Sequence, residues 1–223
     1  MNCNVLSMDL SLTSLSYAIR KTRELGITNI EYMQRDILKI DQLGRLFDII
    51  ESVGVLHHMD DPLTGWKVLV DRLRSGGLMK VGLYSDLARQ HIVKAHKHIA
   101  KKKYTTSPDD IRKFRQEVIN MDLNSDSEIT KVISTPDFYS LSACRDLLFH
   151  AQEHRFTLPQ IEVALNDLDL RFLGFELKQS WVMSFSRFYP EKDALTSLSF
   201  WHQFELKNPG TFSGMYQVWA QKA

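Results

Sequence analysis

Two aspartates, a pair of histidines and a tyrosine stand in this 223-residue chain where their types and spacing allow chemistry. Asp9 closes a short apolar run, Asn4 to Met8. A carboxylate at such a strand end can accept hydrogen bonds from both hydroxyls of a ribose, with charge assistance. The same side chain, with Ser11, can instead cap a helix that starts at residue 12. Asp36 follows a second run, Ile30 to Gln34, at a distance from Asp9 that fits one strand–helix–strand unit. His57 and His58 come just past a third run and its small-residue turn, Ser52 to Gly54. Imidazoles titrate near neutrality, so His57 could be a general base, or the pair could simply pack the loop. Tyr84 closes a fourth run, either in a ligand crevice or as an aromatic at the sheet margin.

Three further patterns are weaker. His150-Ala-Gln-Glu153-His154 has the spacing of a zinc-peptidase motif, but no third ligand is marked and no metal is expected. Its polar residues His150, Glu153 and His154 fit better as the wall of a substrate pocket, along with His58 and Tyr84. Tyr17 and Lys21 match a dehydrogenase pair by spacing alone, far too early in the fold. Arg89 to Tyr104 gathers Lys94, Lys97, Lys101, Lys102 and Lys103 with His91, His96 and His98. Its buried stripe of Ile92, Ala95 and Ile99 marks a solvated helix face rather than a nucleic-acid surface.

The elements that must hold these residues follow from apolar periodicity. Strands are expected at 4–8, 30–34, 46–53 and 78–84, with helices at 12–25 and 62–73 and a turn at Ser75-Gly-Gly77. That alternation implies an α/β fold with a mostly parallel sheet covered by helices. From residue 86 the pattern becomes helical, at 86–103, 108–120, 138–154 and 159–168. Strands return at 170–177 and 215–220, around a helix at 194–204. One domain is expected, with a partial cofactor core at 1–85, a helical cap at 86–168 and the end of the sheet at 169–223.

Hydrophobic residues make up 43% and charged residues 25%, an ordinary globular balance, and 28 basic against 27 acidic residues leave a net charge of +1 that names no partner. Two cysteines fit a reducing compartment, and no run reaches the roughly 20 apolar residues of a membrane span. A cytoplasmic protein without a membrane partner is the expectation.

The run Phe47-Asp-Ile-Ile-Glu-Ser-Val-Gly-Val-Leu-His-His-Met59, followed by Asp60, Asp61 and Pro62, resembles the fourth-strand motif of class I, S-adenosylmethionine-dependent methyltransferases. The chain is most similar to methyltransferase domains that follow tetratricopeptide repeats. The resemblance implies a Rossmann-like fold, S-adenosylmethionine as cofactor and methyl transfer to an unidentified acceptor. It implies that Asp9, with Leu10, meets the ribose and that Asp36 takes the adenine amino group while Ile37 lies against the ring. Ser52 and Val53 would flank the methionine moiety, with His57 and His58 at the rim. The other readings are a non-catalytic binding or regulatory module on the same scaffold and, last, a nicotinamide-dependent dehydrogenase.

The resemblance also implies a first strand and a glycine-rich turn roughly 20–30 residues before the ribose acid. No Gly-x-Gly precedes Asp9. The expectation is therefore a methyltransferase sheet lacking that strand between the runs at 4–8 and 46–53. Such a chain would bind the cofactor weakly on its own and would associate with further copies through its open strand edges.

Overall fold

A computed structural model describes residues 3–121, 128–149 and 153–223. β1 (Val5–Asp9) leads through Ser11, whose hydroxyl caps the next helix by accepting from the Ser14 amide, into α1 (Leu12–Glu24). Gly26 ends that helix at a φ of +68°, which costs glycine least. β2 (Ile30–Gln34) then pairs parallel with β1. A 3-10 segment, Ile37–Leu43, leads to β3 (Phe47–Val53). α2 (Pro62–Asp71) starts with Asp61 as its cap and proline at a first-turn position, where a missing N–H costs nothing.

β4 (Leu73–Ser85) is longer than the sequence implies. Ser75-Gly-Gly77 is not a turn between helix and strand. Leu73 pairs with Phe47 and Leu78 with Ile49, so the glycine segment bulges out of a continuous strand. β4 pairs parallel with β3 on one side and antiparallel with β7 (Tyr216–Lys222) on the other. β7 in turn pairs antiparallel with β6 (Leu170–Phe175).

The cap holds α3 (Gln90–Lys102), α4 (Pro108–Asn120), two 3-10 segments and α5 (Leu141–Leu148) around Ile92, Ile99, Ile111, Phe114, Val118 and Phe138. The expected helix at 138–154 is corrected: among the described residues of that range, α-helix covers 141–148. Glu153 and His154 have no helical conformation and lead into a strand the apolar pattern was too short to reveal, β5 (Arg155–Phe156), which pairs with Tyr84 and Ser85. α6 (Leu158–Asp167), α7 (Gln179–Phe188, not expected from the sequence) and α8 (Leu198–Lys207) pack with β4 and β7 in the main core, so the cap's own apolar cluster ends near residue 149.

The sheet is divided. β1 and β2 form one sheet, and the five strands β3 to β7 form another. The division falls between β1 and β3, where the resemblance places a further strand. Among the described residues neither facing edge is paired, and apolar residues stay exposed on these strands, Val5 at 41% and Ile49 at 55%.

Candidate active site

One cavity of about 370 Å³ lies at this division, within the range of about 300–1,000 Å³ for small-molecule sites. Asp9 and Leu10 from the end of β1, Asp36 and Ile37 from the end of β2, and Ser52 and Val53 from the end of β3 all line it. Parallel pairing explains the meeting, because it brings successive strand ends to one rim. The two acids are held alike. Asp9 Oδ1 accepts from the Ser11 amide at 2.8 Å and Asp36 Oδ1 from the Leu38 amide at 2.9 Å. Each carboxylate thus also serves its own turn, and each keeps Oδ2 for a ligand. Ser11 rather than Asp9 caps α1, and Asp9 holds the turn before it with one oxygen.

Ser52 is 5% exposed and its hydroxyl has no hydrogen-bond partner. A buried hydroxyl without a partner carries a desolvation cost of about 1–3 kcal/mol, which a polar ligand atom in the cavity would remove. The donor set fits a nucleoside cofactor: two fixed carboxylates for hydroxyl and amino donors, Ile37 for an aromatic face, and a buried hydroxyl beyond them.

The loop Gly54 to Met59 separates this cavity from a second one of about 490 Å³. His58, Tyr84, Arg89, Asp137, Ala143, Asp146, Leu147 and Glu153 line the second cavity. His57 lines neither. It is 0% exposed, packed 3.9 Å from the Tyr84 ring and 4.3 Å from the His58 ring, and among the described residues neither ring nitrogen makes a well-formed hydrogen bond, the Gly82 backbone only partly offsetting its burial. Burial, reinforced by His58, pulls its pKa to about 4, so the ring is neutral at pH 7. His154 donates its backbone N–H to the His57 carbonyl at 2.8 Å and stays outside the cavity lining. His150 lies outside the described residues.

Arg89 is the residue the sequence concealed. It opens the basic run but is 6% exposed, and its guanidinium lies 3.6 Å from the Tyr84 ring centre. Nε and Nη2 donate to the two Glu153 oxygens at 2.9 and 2.6 Å, in a fork across 64 positions of sequence. Nothing in the local pattern separates Arg89 from the lysines after it, which are exposed on α3 as expected. Among the described residues no group of His, Cys, Asp or Glu is arranged to hold a metal, Cys3 and Cys144 are free thiols, and no helix is long and apolar enough to cross a membrane.

The strand ends, the divided but mostly parallel sheet and the nucleoside-sized cavity define a class I, Rossmann-like methyltransferase fold. Comparison with known proteins supports that assignment: residues 1–77 match the family described as methyltransferase domain. An uncharacterised protein of Synechococcus sp. is 25% identical over 215 residues, covering 92% of this chain and 51% of the relative. The chain thus spans about half the length of that curated relative. The structure of PKMT2 from Rickettsia typhi superposes with a TM-score of 0.67 at 16% identity, over 98% of this chain and 43% of that one, and PKMT2 has also been solved in complex with AdoHcy. Magnesium protoporphyrin IX methyltransferase from Synechocystis, solved with bound SAH, gives a TM-score of 0.50 at 13% identity, over 99% of this chain and 65% of that one.

Proposed function

We propose that this chain is the catalytic core of an S-adenosylmethionine-dependent methyltransferase. The observation that carries the reading is the meeting of Asp9, Asp36 and the unpartnered Ser52 hydroxyl around one cavity at the carboxyl ends of parallel strands. Bound there, the cofactor would supply a methyl group already activated by its sulfonium, so the protein's part is position and water exclusion. The free oxygen of Asp9 accepts from the ribose hydroxyls and that of Asp36 from the adenine amino group. Ile37 covers the ring, with Leu10 at the ribose edge, and Ser52 and Val53 flank the methionine end. The acceptor enters from the second cavity, across the loop that carries His57 and His58.

Because the cofactor cavity opens onto unpaired strand edges, the chain alone holds the cofactor weakly, and its open edges favour association between copies. Light scattering should show an oligomer; a monodisperse monomer counts against that part. For the cofactor, amide NMR shifts during titration with S-adenosylmethionine should map to Asp9, Asp36 and Ser52. Asp36→Asn removes a charge-assisted hydrogen bond of about 1.5–3 kcal/mol and should weaken binding about tenfold or more. Shifts confined to other residues, or none at millimolar cofactor, would sink the reading and leave the non-catalytic module, which the open edges favour.

A further inference from the structure

The second cavity shows a selectivity in its polar groups. Arg89 is the cation of its wall, yet Glu153 takes two of its donors in a fork and Tyr84 covers its face. A guanidinium held this way has little left for an anionic ligand. Asp137 and Asp146 face the same space, and among the described residues neither carboxylate has an ion pair or hydrogen bond. The Tyr84 ring lies 3.6 Å from the Arg89 guanidinium and 3.9 Å from the His57 ring, and among the described residues its hydroxyl takes no hydrogen bond. Burial raises the Tyr84 pKa, opposed by Arg89 and reinforced by the Glu153 and Asp137 charges, so the phenol stays protonated.

Among the described lining residues, the groups left open to accept are therefore two carboxylates and a phenol oxygen, beside a neutralised arginine. A carboxylate or phosphate would meet repulsion there, and a neutral alcohol would gain little. We propose that the second cavity is the acceptor subsite and that it takes a primary amine, bound as its ammonium between Asp137 and Asp146 with the Tyr84 oxygen completing the donor set. This rests on the methyltransferase reading. In the reaction the ammonium first gives a proton to solvent. The amine lone pair then forms the nitrogen–carbon bond while the carbon–sulfur bond breaks onto sulfur. The products are a methylammonium, which keeps the positive charge, and a neutral thioether.

The test uses the full chain with n-butylammonium as probe and n-butanol and butyrate as controls, followed by amide NMR shifts at Tyr84, Asp137, Asp146 and Leu147. Butylammonium should shift these residues at lower concentration than either control. Asp137→Asn with Asp146→Asn should weaken that binding about fivefold, since each exposed carboxylate contributes modestly, while leaving cofactor shifts at Asp9 and Asp36 unchanged. Butyrate binding as well as butylammonium, or a double variant that binds butylammonium like the parent, overturns the amine assignment. Cofactor shifts without any butylammonium response overturn it alone. A butylammonium response without cofactor shifts supports the cavity's selectivity and defeats the methyl-transfer reading beneath it.

Discussion

Replacing His57 by glutamine should make folding stability less sensitive to acid, by an amount that follows from the burial of this ring. An unfolded histidine titrates near 6.5, whereas burial lowers His57 to about 4 in the fold. Between those values the unfolded chain binds the proton and the native chain does not, so native stability falls as pH falls. At pH 5 the native ring is still mostly neutral and the unfolded one mostly charged, which gives a loss on the order of 2 kcal/mol from this residue. The loss nears its full extent, on the order of 3 kcal/mol, below pH 4. His91 and His96 are shifted down by burial as well and contribute in the same direction, and the difference between parent and variant isolates His57. Urea unfolding of both proteins from pH 7.5 to 4.5 measures it. The parent should lose about 2 kcal/mol more than His57→Gln on going from pH 7.5 to 5. Parallel curves would mean that the ring is solvated or paired, and the account of an unpartnered imidazole under Tyr84 would be wrong.

Arg89→Met should destabilise the fold by about 3–5 kcal/mol, because it leaves the buried Glu153 carboxylate with Arg155, at 3.8 Å, in place of its fork. Arg89→Met combined with Glu153→Gln should recover about 1 kcal/mol or more relative to the sum of the single changes. Strict additivity in denaturant melts would show that the fork carries no coupling. In native-state hydrogen exchange, β1 and β2 should open locally and exchange about tenfold or more faster than the paired centre of β4, since Leu15 is the one buried apolar residue of the β1–α1–β2 unit. Equal protection in the two regions would contradict the divided sheet.

Strand ends were legible in the sequence because buried parallel strands read as apolar runs whose last polar residue faces the crevice. Asp9, Asp36 and Ser52 each follow such a run, and all three line one cavity. What escaped was long-range. β5 is two residues long and owes its existence to the open edge at the end of β4, so no local pattern announces it. Arg89 looks like the head of a solvated basic helix until Glu153, folded back by the cap, takes its charge. α7 was missed although Trp181, Val182 and Phe185 stand at helical spacing among serines, and its inner side is set by stacking of Phe185 on Trp201 at 3.7 Å. The glycines at 76 and 77 signalled a turn and proved to be a bulge, since the same backbone freedom serves both and only the pairing of Leu73 with Phe47 distinguishes them.

The divided sheet links these observations. β4 is paired along both sides and contributes Met79 and Leu83 to the main core, with Trp66, Trp201 and Tyr216. β1 and β2 hold to that core through partly buried contacts such as Met8, Ile37 and Leu43. The two carboxylates proposed to hold the nucleoside therefore sit on the less anchored side of the cavity, and Ser52 sits on the well-anchored side. A ligand bridging them would join the two sheets as well as fill the cavity, so cofactor binding should slow exchange across β1 and β2 more than at β4. Any strand that fills the gap would do the same from the backbone side, and cofactor affinity should rise with it. Protection of β1 that does not respond to saturating cofactor would break this link between the open edge and the site.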